Sequence, residues 1–176
     1  SGSTGQPKGV LLGHRGLNLM LHAHIETLQI QPESRVLQHA ALSFDASISE
    51  LGMALGSGAC LCIGSREDLH AGPPLQQYLL REQITHLTLP PSVLALMPPL
   101  PEPHSLECLL VAGEACPLEL AQSWSQRCRL FNAYGPTEST VCTTLGEQTP
   151  ADLAMEMTLG TPLPHLQLYV LNEALQ

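Results

Sequence analysis

The first nine residues, Ser1-Gly2-Ser3-Thr4-Gly5-Gln6-Pro7-Lys8-Gly9, put three glycines, three hydroxyl side chains and one ammonium ahead of an apolar segment. Glycines let a chain turn sharply and expose its N–H groups. Those groups, with the hydroxyls and Lys8, make a surface suited to phosphate oxygens. The stretch is not a P-loop, which needs a glycine directly before the lysine and Ser or Thr directly after it. Here Pro7 and Gly9 flank Lys8. Alone, such a stretch reads equally well as a flexible polar terminus or linker.

Three later turns carry polar residues of a matching kind. They are Ser43-Phe44-Asp45-Ala46-Ser47, Gly113-Glu114, and Asn132-Ala133-Tyr134-Gly135-Pro136-Thr137-Glu138-Ser139-Thr140. A tyrosine such as Tyr134 can stack on a planar base. A carboxylate such as Glu138 can hold a magnesium ion whose other ligands are waters and phosphate oxygens. Each turn has an ordinary reading too: Asp45 and Thr137 as helix caps, Gly135-Pro136 as a turn signal. Taken together with the opening loop, the ordinary readings lose ground to a nucleotide site.

The elements that must position these turns follow from hydrophobic periodicity. Helices are expected at Arg15–Leu28, with Leu17, Leu21, Ile25 and Leu28 facing in, and from Ile48 to about Gly56. Others are expected at Leu75–Glu82, from Pro91 to about Met97, and after Pro117. Strands are expected at Arg35–Leu42, Ala59–Ile63, Ile84–Leu89, Glu107–Ala112, Arg129–Ala133 and Val141–Leu145. The clean alternation of Leu166, Leu168 and Val170 predicts a last strand over His165–Leu171. Strands alternating with helices imply an α/β fold with a mostly parallel sheet covered by helices. Ligands of such sheets bind at the carboxyl ends of the strands, where the polar turns lie.

The 176 residues fit one domain with a sizeable core. Hydrophobic residues make up 44% and charged residues 13%. The net charge of −9 and the lack of a basic stripe argue against nucleic acid as a partner. No apolar run approaches a membrane span. The six cysteines form no C-x-x-C pair, so a zinc site is not expected. Cys60, Cys62 and Cys108 sit in apolar runs and read as buried thiols, which fits a cytoplasmic location. His22 and His24 are two apart, do not share a helix face, and do not suggest a metal site with His14.

The order Ser-Gly-Ser-Thr-Gly-x-Pro-Lys-Gly-Val resembles the phosphate loop of the adenylate-forming enzymes. Ser-Phe-Asp-Ala-Ser, Leu-Val-Ala-Gly-Glu and Asn-Ala-Tyr-Gly-Pro-Thr-Glu-Ser-Thr follow it in family order. Together they resemble the core motifs of nonribosomal peptide synthetase adenylation domains, and the likeness runs the length of the chain. The resemblance implies an enzyme that activates an amino acid with ATP, releases pyrophosphate, and passes the aminoacyl group to the phosphopantetheine thiol of a peptidyl carrier domain, beside condensation domains of the same assembly line. It assigns Ser1, Gly2, Ser3, Thr4, Gly5 and Lys8 to the β- and γ-phosphates, Thr137 to the phosphates, and Glu138 to magnesium. Gly113, Glu114, Ala133 and Tyr134 would frame the adenine. Asp45 would pair with the substrate α-ammonium, a cation that a buried carboxylate needs.

The resemblance also lines the side-chain pocket with Ala46, Ser49, Thr88, Leu110, Ala112, Ala133, Val141 and Cys142. The set is small and uncharged, so a bulky uncharged substrate side chain is expected, tyrosine or phenylalanine. Against the family pattern the chain is expected to be a partial adenylation domain, truncated at both ends and inactive by itself. An acyl- or aryl-CoA ligase of the same superfamily and a non-catalytic remnant stay open as alternatives. Asp45 speaks against the first and the intact motifs against the second.

Overall fold

Apolar runs four to six residues long and rich in Leu, Val, Ile and Cys pair as a sheet, and the amphipathic segments between them cross over as helices. The computed structural model describes residues 9–174. In chain order, helix α1 (His14–Leu28) leads to β1 (Arg35–Gln38), α2 (Ala46–Ser57) and β2 (Cys60–Ile63). Then come α3 (Pro73–Arg81), β3 (His86–Leu89), α4 (Pro91–Leu94), β4 (Cys108–Ala112), α5 (Leu118–Ser125) and β5 (Arg129–Tyr134). Two short strands, β6 (Thr144–Glu147) and β7 (Thr161–Pro162), close the series. The sheet order is β2-β1-β3-β4-β5-β6-β7. The first five strands are parallel; β6 and β7 join antiparallel at one edge.

Both faces of the central strands are covered, so β4 is apolar throughout, while β1, β3 and β5 combine apolar residues with polar ones such as Arg35, His86 and Asn132. Successive residues feed opposite cores. Leu37, Leu109, Val111 and Leu130 pack with Leu75, Leu79 and Trp124 from α3 and α5. Val36, Cys108, Leu110 and Phe131 pack with Met20, Leu28, Met53 and Ala54 from α1 and α2. Gly52 lets these last two helices touch, because a Cβ there would stand 2.5 Å from Leu21 Cδ1.

Some expectations need correcting. Residues 165–171 form no strand. Leu168, Tyr169, Val170 and Leu171 are exposed, and Thr161–Pro162 occupies the outer edge of β6 instead. Alternation makes a strand possible, but a paired edge makes it real. The strand expected over 141–145 begins only at Thr144, because Val141 has φ 67. The strand expected over 35–42 stops at Gln38. Cys60 is exposed, unlike Cys62 and Cys108; it lies on β2, the edge strand, where cover is incomplete. On α1 the most deeply buried ridge is Met20, His24 and Leu28, while Leu17, Leu21 and Ile25 flank it. Among the described residues no helix is long and apolar enough to cross a membrane.

The chain leaving β1 is held by a buried acid. Glu50 of α2 is 1% exposed. Its carboxylate accepts the His39 N–H at 3.1 Å and the Ala40 N–H at 3.0 Å, and the Gln38 amide at 3.3 Å. These bonds satisfy donors that leave the sheet with no strand partner, and they fix the path of residues 39–45. Burial pushes the Glu50 carboxyl up to about 7, against the pull of its N–H donors. With a folded value above the ordinary 4.5, its contribution to stability is full below that value and is lost as pH rises through about 7. The stability of the wild type relative to Glu50→Gln is therefore expected to fall across this window, followed by thermal unfolding of the two proteins at each pH. A difference that stays flat with pH would contradict the assignment. In the same variant, hydrogen exchange at the His39 and Ala40 amides is expected to speed up about tenfold to a hundredfold, the worth of one or two lost bonds to a buried acceptor.

Candidate functional site

Parallel pairing brings the carboxyl ends of β1, β3, β4 and β5 to one rim. The register sets Thr88 opposite Leu110 and Ala112 opposite Ala133. Leu110 and Ala133 belong to the core under α1 and α2, with Ala112 packed against it. The rim therefore meets the inner sides of these two helices. A cavity of about 440 Å³ lies there.

Asp45, Ala46, Ser49, Thr88, Leu110, Ala112, Ala133, Val141 and Cys142 all line this cavity, as do Gly113 and Glu114. They come from five separate stretches of chain. Asp45 occupies the N-cap position of α2, yet its side chain makes no capping hydrogen bond. Glu114 accepts hydrogen bonds from the Ser92 N–H at 3.1 Å and the Ser92 hydroxyl at 2.9 Å. Gly113 turns the chain out of β4 with φ 85. Among the described residues no lysine or arginine lines it, so the described wall is acidic and apolar and suits a cation joined to an uncharged body.

The stretch after β5 is tightly wound. Thr143 donates its N–H to the Tyr134 carbonyl at 2.7 Å, closing the loop. Ser139 and Thr143 share a hydroxyl–hydroxyl bond of 2.6 Å. Thr140 and Val141 both sit in the left-handed region, with φ 65 and 67. For a β-branched valine that conformation is strained, and it persists only where the surroundings enforce it. The result turns Val141 and Cys142 to the cavity. The Cys142 thiol donates to the Thr144 carbonyl at 3.1 Å, and burial pushes its pKa up to about 12. It is a neutral wall residue, not a nucleophile.

The remaining expected site residues fall elsewhere. Ser1, Gly2, Ser3, Thr4, Gly5 and Lys8 lie outside the described residues. Tyr134 is 55% exposed at the end of β5, and Thr137 and Glu138 start a single 3-10 turn beyond it. None of these three lines the cavity, although the adjoining Gly135 does. Among the described residues no group of three or more His, Cys, Asp and Glu side chains could hold a metal.

Sequence reasoning missed His24, His39 and Glu50, which also line the cavity. His24 is 1% exposed, and burial lowers its pKa to about 4. Its Nδ1 lies 3.2 Å from the Ser49 hydroxyl. A signal existed: His24 stands four residues after Met20 and four before Leu28, on the most buried ridge of α1. Glu50 gave none, since acids are commonplace on helices.

Comparison with known proteins gives a consistent set of likenesses. A family model described as AMP-binding enzyme matches residues 1–176. The chain is 52% identical over 178 residues to CymA of Salinispora arenicola (strain CNS-205), a probable nonribosomal peptide synthetase; the match takes in 100% of this chain and 2% of that protein. Among solved structures it is similar to the Vibrio cholerae adenylation domain AlmE in complex with glycyl-adenosine-5'-phosphate. That match has a TM-score of 0.87 at 27% identity and covers 100% of this chain and 34% of that one. It is also similar to holo-AB3403, a four-domain nonribosomal peptide synthetase bound to AMP and glycine, with a TM-score of 0.88 at 32% identity over 98% of this chain and 13% of that one. The chain thus spans a minor part of the length of each relative.

The tight loop makes its own prediction. A Cβ on Gly135 would stand 2.6 Å from the Thr143 nitrogen and 2.8 Å from the Cys142 Cα. Both are backbone atoms that cannot swing aside. Gly135→Ala is expected to cost about 1–3 kcal/mol, in the manner of an overpacked site, and to speed exchange of the Thr143 amide about tenfold or more. Hydrogen exchange followed by mass spectrometry checks this, and unchanged protection of residues 140–145 would refute it.

Proposed function

The chain belongs to the AMP-binding enzyme family, in its nonribosomal peptide synthetase adenylation type, and from that premise we propose that it forms the amino acid and nucleotide site of an enzyme that activates an amino acid with ATP. A substrate carboxylate oxygen attacks the α-phosphorus of ATP. The bond from that phosphorus to the β-phosphate oxygen breaks, pyrophosphate leaves, and an aminoacyl adenylate remains. The phosphopantetheine thiol of a carrier domain then takes the acyl group and AMP departs. The partners are a peptidyl carrier domain and condensation domains of one assembly line.

The observation that carries this reading is the placement of Asp45. It lines a cavity whose other acids, Glu50 and Glu114, are taken up by hydrogen bonds from the protein, and its own carboxylate is not spent on capping α2. A carboxylate so placed calls for an ammonium partner, which an amino acid has and a plain carboxylic acid lacks. Ala46, Ser49, Thr88, Leu110, Ala112, Ala133, Val141 and Cys142 receive the side chain in this reading. Their size and lack of charge favour an aromatic substrate, tyrosine or phenylalanine.

Gly113, Glu114, Ala133 and Tyr134 frame the adenine, and the exposed ring of Tyr134 is available for stacking. Ser1, Gly2, Ser3, Thr4, Gly5, Lys8 and Thr137 hold phosphate oxygens. Glu138 is a lone exposed carboxylate, which suits a magnesium ion that keeps waters and phosphate oxygens as its other ligands. Such an ion neutralises charge on the phosphates. Lys8 adds a positive charge where negative charge moves onto the leaving pyrophosphate.

ATP–pyrophosphate exchange by the full-length protein, run with each of the twenty amino acids, tests the proposal. Exchange is expected with tyrosine or phenylalanine, and a preference for Asp, Lys or Gly would defeat the aromatic reading. Asp45→Ala is expected to lower kcat/KM about a hundredfold or more, the worth of an ion pair that is half-buried in the free protein and closed off from water by the substrate. Exchange with carboxylic acids that lack an ammonium, undiminished by that substitution, would favour an acyl- or aryl-CoA ligase instead.

A further inference from the structure

His24 carries a chemical demand that the protein leaves unmet. The ring is buried on the α1 ridge with Met20 and Leu28. One of its nitrogens is engaged: Nδ1 lies 3.2 Å from Ser49 Oγ. The other, Nε2, is buried and has no hydrogen-bond partner. Leaving such a nitrogen unpaired costs about 1–3 kcal/mol, and buried polar atoms are nearly always satisfied. His24 and Ser49 both line the cavity that holds Asp45, so a small shift of the ring brings the unmet nitrogen within reach of a ligand atom there.

We propose that His24 is a specificity-determining residue, whose Nε2 shares a hydrogen bond with a hydroxyl at the far end of an aromatic substrate side chain, so that the site selects tyrosine over phenylalanine. This rests on the aminoacyl-activation reading above and narrows it. The neighbours fix what kind of partner is needed. Ser49 Oγ lies 3.2 Å from Nδ1 and 4.0 Å from Met20 Sδ. Whichever of Nδ1 and Oγ carries the shared proton, Nε2 is left as an acceptor or as a donor, and a phenol meets either while phenylalanine meets neither. Asp45 and Ser49 are one turn apart at the start of α2, a rise of about 6 Å. The His24–Ser49 pair thus stands one helical turn from Asp45 on the wall of the same cavity. Burial keeps the imidazole neutral, so no charge is offered there to an acidic side chain. The nearby acid Glu50 is occupied by backbone N–H groups.

The test is ATP–pyrophosphate exchange by the full-length protein, with L-tyrosine, L-phenylalanine and 4-amino-L-phenylalanine as probes. The wild type is expected to favour tyrosine over phenylalanine about a hundredfold or more in kcat/KM, as sites built to bond a substrate hydroxyl do. The amino analogue, which keeps a donor, should fall between them. His24→Leu should lower the tyrosine value about tenfold to a hundredfold and leave phenylalanine within about threefold, since only the hydroxyl contact is removed. His24→Gln, which restores a polar atom at similar reach, should recover part of the preference. Equal use of tyrosine and phenylalanine by the wild type overturns the role of His24 while the aromatic reading stands. An equal fall for both substrates in His24→Leu marks a merely structural residue and overturns it too. Exchange with neither aromatic defeats the substrate reading itself, and this proposal with it. The wild-type comparison needs no variant, so equal use of the two substrates overturns the role even if His24→Leu fails to fold, and His24→Gln then carries the positive test.

Discussion

Parallel pairing of β1, β3, β4 and β5 is the constraint on which the cavity depends. Parallel neighbours force each connection to cross back over a face of the sheet, and the crossing helices bury both faces. Every strand then ends at the same rim. Polar turns with no structural reason to meet, Ser43–Ser47, Gly113–Glu114 and Gly135–Cys142, are brought together there. The apolar strands hold the arrangement: Leu37, Leu89, Leu109 and Val111 are fully buried. At the rim the side chains shrink to Thr88, Ala112 and Ala133, and space for a ligand opens where the core tapers.

Bonds made by the turns themselves then set how that space is shaped. Glu50 reaches from α2 to the backbone that leaves β1, so the segment that delivers Asp45 is tied at its start. Across the cavity, the strained Thr140–Val141 pair is held by the closure of Thr143 onto Tyr134. Both devices place a costly feature at the rim, a buried acid on one side and a left-handed valine on the other. Local cost of this kind gathers where a fixed geometry serves a ligand, and the extensive apolar burial below the rim offsets it.

Much of this was legible in the sequence because it depends on periodicity and on turn chemistry. The helix–strand alternation follows from residue spacing alone, and the sheet's carboxyl rim follows from that alternation. Asp45, Gly113, Glu114 and the 133–142 stretch could be placed near one another on those grounds. What stayed hidden depends on neighbours. Leu166, Leu168 and Val170 alternate as a strand does, but pairing is settled by which edge is open, and β7 takes it. Val141 looks like the start of a strand, but the tight closure behind Gly135 drives its φ positive. His24 and Glu50 have the residue types of a solvated helix surface. Glu50 is buried against the backbone leaving β1 and His24 against Ser49 of α2, neighbours that neither helix reveals by itself.

The same dependence on neighbours sorts the three acids of the cavity by what they can do. Glu50 faces the backbone N–H groups of His39 and Ala40, and burial raises its pKa to about 7. Glu114 is met by the N–H and hydroxyl of Ser92. Both are occupied by the protein, and each fixes a turn. Asp45 makes no capping bond to the helix it begins. Three carboxylates of one formal charge therefore have different roles: two position backbone, and one keeps its lone pairs for whatever enters. A count of charges around the cavity would weigh them alike, whereas their hydrogen-bond partners separate them. The single uncommitted carboxylate stands at the start of α2, and the uncommitted imidazole nitrogen belongs to the ring held by Ser49 one turn further along. Asp45 and His24 thus make different demands, a cation for one and a neutral hydrogen-bonding group for the other.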